Sequence, residues 1–258
     1  MDDNGPIEKI QAGVTARQIA HLDRDPPKPD VKPMRPRDAA TILILDRTPD
    51  GLKVLMGRRH RGHAFMPGKF VFPGGRVDPH DGNVPAAAEL DPVDLSKLLQ
   101  GMGSRPSPRR ARALALAAIR ETYEEAGLLI GHNGDFGYDH GDWHAFAAHG
   151  IAPDLSSLRF VARAVTPPGR VRRFDTRFFV AFREAIAASL PEGTGPSGEL
   201  EDLHWLTFGE TNSLELPPIT RTILSEVAER YADDPGLTAG IPVVQYSMRH
   251  NRFVREVI

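Results

Sequence analysis

At 258 residues and 28.3 kDa, with a formal net charge of −2, the chain has the length for one well-cored domain with additions. It has no charge excess of the kind that marks a nucleic-acid or membrane-surface binder. Cysteine is absent, which excludes a disulfide framework, a zinc–thiolate site and a cysteine nucleophile together. Met1 to Pro6 lack the basic start and apolar stretch of a secretory leader, and no apolar run approaches the ~18 residues of a membrane span, so the expectation is a soluble, cytoplasmic protein.

Residues 1–37 begin with a short amphipathic turn at Ile7-Glu8-Lys9-Ile10 and become Pro-rich from Pro26 to Pro36, which predicts an extended arm. The main domain is expected over residues 38–240. Ala39 to Asp46 reads as a buried strand, Thr48-Pro49-Asp50-Gly51 as a turn and Leu52 to Arg59 as the returning strand. Arg58, Arg59, His60, Arg61 and His63 then crowd a loop that is either solvated or supplies phosphate contacts, with Arg59 the candidate. Phe72-Pro73-Gly74-Gly75-Arg76 follows; its double glycine lets a backbone pass close to a ligand or ion, and Arg76 is a second candidate cation. Asp91 as N-cap and Pro92 at the first helical position start a helix with Val93, Leu95, Leu98 and Leu99 to bury. That helix is predicted to cover the substrate cleft or to line an interface between copies of a homodimer.

Ser107-Pro108 starts a longer helix in the same way; Leu114, Ala118 and Ile119 supply its apolar face and Gly127 is placed to end it. Within it, Arg120-Glu121-Thr122-Tyr123-Glu124-Glu125 puts three carboxylates at i, i+3 and i+4 on one face. By itself an acidic helix face is also what solvated surface looks like. Like charges so close repel, however, and Arg120 offsets this only in part through its i+4 pairing with Glu124, so the arrangement calls for a cation. Magnesium, or manganese, is the ion that takes carboxylate oxygens and fills its other positions with water and phosphate.

Gly75 and Asp81, followed by Arg120 to Leu128, resemble the Nudix hydrolase signature: a glycine, an acid, then Arg-Glu-aliphatic-x-Glu-Glu-x-Gly-aliphatic in a loop–helix–loop. Asp81 stands where most members have Glu, Thr122 stands where an aliphatic residue is usual, and an insertion at about 82–107 splits the two halves. The resemblance implies an α/β fold, the Nudix-type α/β/α sandwich with a central mixed β-sheet. It also implies Glu124 and Glu125 as principal metal ligands, Glu121 as a third ligand or the base, a carbonyl ligand at Gly75, and Arg120 orienting a glutamate.

After the helix, Leu128-Leu129-Ile130 is predicted to resume the sheet, and Trp143 to Phe146 and Leu155 to Leu158 to form short turns; the histidines of the 131–142 loop read as surface residues. Arg159 to Val165 and Phe174 to Phe182 read as strands joined across Pro167-Pro168-Gly169, placing Arg170, Arg172 and Arg173 at a sheet end. By resemblance to related proteins that loop faces substrate, so Arg170 and Arg173 are phosphate-binding candidates. Glu199-Leu200-Glu201-Asp202 precedes a strand at Leu203 to Leu206, and Glu199 or Glu201 is the alternative general base. Ile219 to Tyr231 reads as an amphipathic closing helix, and residues 241–258 as a tail with two apolar patches that docks or pairs with a neighbouring chain.

The function expected is Mg²⁺-dependent hydrolysis of a diphosphate linkage in a nucleotide-type small-molecule substrate, with no nucleic-acid or membrane partner. Gly68 and Phe72-Pro73-Gly74-Gly75 reproduce the end of a motif found in coenzyme A-hydrolysing members, whereas Ala64 and His60 do not match its upstream positions. Coenzyme A or an acyl derivative is the first substrate expectation. A nucleotide sugar, a dinucleotide and a non-catalytic nucleotide sensor are the alternatives.

Overall fold

The computed structural model describes residues 34–62, 67–103, 105–138, 140–170, 172–191, 193–249 and 252–258. The arm up to residue 33, with its expected amphipathic turn, lies outside them. β1 (Arg37–Thr48) is the central element, and its pleat explains why: Ala40, Ile42 and Ile44 enter the core on one face of the sheet, Leu43 and Leu45 the core on the other. β2 (Gly51–Arg59) returns antiparallel through the predicted turn, with Leu45 opposite Val54 and Thr48 opposite Gly51. The short β3 (Phe70–Val71) pairs with β2, and β4 (Gly74–Arg76) pairs with β1, bringing Gly75 opposite Ala40.

Three more strands and a C-terminal pair complete the main sheet. β7 (Arg159–Val165), β8 (Phe174–Phe182), β10 (Leu200–Thr207), β11 (Val244–Arg249) and β12 (Arg252–Val257) join β1 and β2 in the order β10-β2-β1-β8-β7-β11-β12. β1 with β8 and β7 with β11 run parallel, and the other pairs antiparallel, so the sheet is mixed. β5 (Leu128–Asn133), β6 (Ile151–Pro153) and β9 (Ile186–Ser189) form a separate small sheet. Helices α1 (Pro92–Gln100), α2 (Pro108–Ala126) and α3 (His144–Ala148) lie on the face of the main sheet that carries this small sheet; α4 (Pro218–Asp233) covers the other through Ile223, Leu224 and Val227. This is the expected α/β/α sandwich with a mixed central sheet. None of the helices among the described residues is long and apolar enough to cross a membrane.

α2 is specified locally at both ends. Ser107 Oγ accepts the Arg110 N–H at 3.3 Å with Pro108 in the first turn, and Gly127 closes the helix at φ 68°, its N–H donating to Tyr123 O at 2.8 Å. Ala113, Ala115, Ala117 and Ala118 keep its buried side thin, so the helix lies close to the sheet.

Three expectations change. Leu128 to Ile130 does not resume the main sheet: the left-handed turn at Gly127 redirects the chain, and Leu129 and Ile130 are buried in the small sheet between β6 and β9. The C-terminal residues are not a docking tail but β11 and β12, the last two strands of the same sheet. Val244 and Tyr246 are buried there, and Arg255 donates to the buried Glu226 at 2.7 and 3.0 Å. The insertion is built into the domain: its apolar residues Val84, Leu90, Leu98 and Met102 are sunk in the core shared with α2. Lys97 Nζ ties α1 to the carbonyls of Gly240 and Ile241, and Arg112 ties α2 to Glu89 at 2.9 Å. Val93, expected to be buried, is 45% exposed; Asp94 faces inward in its place.

Candidate active site

The last two turns of α2, the β4 glycines and the facing ends of β2 and β10 meet at one place. Arg120, only 5% exposed, organises it with both arms of its guanidinium. Its Nε and Nη2 donate to Asp81 at 3.0 and 3.2 Å, Nη2 also donates to Arg76 O at 2.9 Å, and Nη1 donates to Glu121 at 2.9 Å and to both oxygens of Glu124 at 3.0 Å. The sequence showed the Arg120–Glu124 pairing; Asp81, 39 residues earlier, is what fixes the opposite edge of the guanidinium.

Glu125 points the other way. Its Oε2 accepts the Gly74 N–H at 2.9 Å, and its Oε1 is 3.3 Å from Arg59 Nη2. Arg59 Nη1 then donates to Glu199 at 2.9 Å, so this arginine bridges a fully buried acid and a half-exposed one. A β-carbon on Gly75 would overlap the Glu121 carboxylate, which is the physical reason for glycine at that position. Glu201 turns instead to Arg58, at 3.9 Å, and His60, at 3.3 Å.

Burial pushes the Glu125 carboxyl up to about 8 against the pull of Arg59, and the Glu121 carboxyl up to about 7 against the pull of Arg120, with Glu124 and Glu199 adding repulsion. Glu124 is raised as well, by burial first and also by Asp142 and Asp81, with Arg120 opposing. Acids crowded this closely are stabilised as carboxylates by added positive charge. Among the described residues no three carboxylate or imidazole groups already stand as a closed metal cage, because Arg120 and Arg59 interleave them. The donors nevertheless suit a hard cation: three glutamates and the backbone at Gly75 offer only oxygen.

Of the candidate cations, Arg59 is in the cluster and Arg76 contributes its carbonyl while its side chain is exposed. Arg173 lies at the start of β1, where it donates to Thr166 O at 3.0 Å and Met34 O at 2.5 Å, and half-buried Arg170 sits in the same loop. Sequence reasoning gave no role to Asp78 or Asp142. Asp78 N–H donates to Asp81 Oδ2 at 2.8 Å, and the charge of Asp142 adds to what raises the Glu124 carboxyl.

No family model matches the sequence. The chain is similar to the crystal structure of a Nudix hydrolase from Alicyclobacillus acidocaldarius, with 28% identity and a TM-score of 0.55 over 80% of this chain and 99% of that one. A Nudix hydrolase from M. smegmatis, RenU, is 19% identical with a TM-score of 0.41 over 78% of this chain and 89% of that one. A MutT protein from Methanosarcina mazei is 15% identical with a TM-score of 0.41 over 79% and 99%.

Proposed function

We propose that this chain, with the fold of a Nudix hydrolase, cleaves a diphosphate linkage in a nucleoside-diphosphate-linked substrate with the aid of Mg²⁺ or Mn²⁺. The observation that supports this most is the grouping of Glu121, Glu124 and Glu125 around the Arg120 fork and against the backbone of Gly74 and Gly75. Glu121, Glu124, Glu125 and the Gly75 carbonyl would hold the ion, which when bound neutralises phosphate oxygens and acidifies a water.

The residues of the chain do the rest. Arg120 keeps Glu121 and Glu124 in register with each other. Arg59, already shared between Glu125 and Glu199, is the candidate within the cluster for holding a phosphate oxygen, and Arg76, Arg170 and Arg173 are further candidates. Glu121 or the more exposed Glu199 accepts the proton of the attacking water. The oxygen of that water bonds to phosphorus, the bond from phosphorus to the bridging oxygen breaks, and two monophosphate fragments leave.

Coenzyme A or an acyl-coenzyme A is the substrate favoured by the Gly68 and Phe72-Pro73-Gly74-Gly75 pattern, ahead of nucleotide sugars and dinucleotides. The test is a panel of these compounds incubated with the chain and Mg²⁺, with products separated by chromatography. Hydrolysis of at least one diphosphate to two monophosphates is expected. Binding without turnover across the panel would favour the sensor alternative.

A further inference from the structure

Two loops tied to α2 bring three rings together. The first is Asp78-Pro79-His80. His80 N–H donates to Asp78 Oδ1 at 2.8 Å, its Nδ1 lies 3.0 Å from the same oxygen, Asp78 N–H donates to Asp81 Oδ2 at 2.8 Å, and Asp81 holds Arg120. His80 is therefore fixed to the acidic helix through a chain of hydrogen bonds. The second loop leads into α3. Phe136 is buried against Trp143 and Phe146, both at 6.5 Å between ring centroids, and Phe146 meets Tyr123 of α2 edge-on at 5.9 Å. His140 is on the outside, its ring centroid 6.1 Å from that of Tyr138, which packs against the core, and 5.4 Å from that of His80, the rings tilted by 41° and 34°.

The two imidazoles are not core: the His80 side chain is 64% exposed and His140 is exposed too. They also stand beside the acidic cluster, since His80 is tied through Asp78 and Asp81 to Arg120, which holds Glu121 and Glu124. Flat π-surfaces held by two independently anchored loops and open to solvent suit a planar heteroaromatic group better than a sugar or an acyl chain.

We propose that His80 and His140, with the partly buried Tyr138 against His140, form a stacking platform for the base of the nucleoside diphosphate. This rests on the hydrolase reading above for the substrate's identity, though not for the binding itself.

The test follows the imidazole proton resonances of the full chain, with His80 and His140 assigned through His80→Gln and His140→Gln, during titration with AMP, GMP, UMP and CMP in Mg²⁺. Ribose 5-phosphate is titrated in parallel. At least one nucleotide should shift both resonances by its ring current, and ribose 5-phosphate should not. His140→Ala should raise KM for the best nucleoside-diphosphate substrate by about tenfold, more than it lowers kcat. Resonances unmoved by all four nucleotides, or moved equally by ribose 5-phosphate, would overturn the platform. A chain that shows the nucleotide shift and hydrolyses no diphosphate sinks the hydrolase reading and upholds the platform. Hydrolysis with no shift and an unchanged KM in His140→Ala sinks the platform alone.

Discussion

Arg120 and Gly75 carry opposite kinds of constraint. Arg120 must satisfy Asp81, Arg76 O, Glu121 and Glu124 at once, which a planar fork can do and a single ammonium cannot. Arg120→Lys is therefore expected to lower kcat/KM at least tenfold and to lower Tm by several degrees, because Asp81 is 1% exposed and loses part of its compensation. Gly75 acts by absence: an alanine there would collide with the Glu121 carboxylate. Gly75→Ala should cost about two orders of magnitude in turnover by displacing that acid by an ångström or so, with the far-ultraviolet circular dichroism preserved. Wild-type kinetics in Gly75→Ala would mean that Glu121 does not take part.

The elements show which parts of this arrangement are legible in a sequence. α2 and its acids are legible because every signal is local: Ser107 and Pro108 at one end, Gly127 at the other, and glutamates at helical spacing between. The Arg59–Glu199 bridge is not, since its partners are 140 residues apart and meet only because β10 pairs with β2. The small sheet and the β11–β12 pair escaped for the same reason: an apolar patch announces that it will be buried, not against what. The insertion is a different case. Its helix was correctly bounded at Asp91 and Pro92, but its buried residues belong to the main core, so replacing residues 84–105 with a Gly/Ser linker should abolish cooperative unfolding rather than merely raise KM. Asp94 supplies a second test of α1. Burial pushes its carboxyl from 3.8 to about 6, with Arg159 and Lys97 opposing, so the stability its protonated form allows is present below about 3.8 and is lost as pH rises through about 6. Asp94→Asn should thus be more stable than the parent at pH 8 and nearly equal to it at pH 4, as read by urea unfolding at both.

At the scale of the whole molecule, both faces of one sheet must be covered for the acidic cluster to be held still. The last strands belong to that requirement: Glu226 on α4 is 2% exposed and is balanced by Arg255, Tyr246 and Arg230. Truncation after Gly240 removes two of these three partners together with two strands. It is expected to give a chain that is insoluble or melts without a cooperative transition.

The proposed function requires the acidic face of α2 to work as a metal site and not as solvated charge. The most direct measurement is the Mg²⁺-dependent turnover of Glu124→Gln beside that of the parent, on the best diphosphate substrate, with both shown to be folded by their thermal transitions. Glu124 is partly exposed and its replacement keeps the side-chain volume, so the fold should survive while turnover falls at least a hundredfold. A folded Glu124→Gln variant with turnover near the parent's at saturating Mg²⁺ would rule that site out.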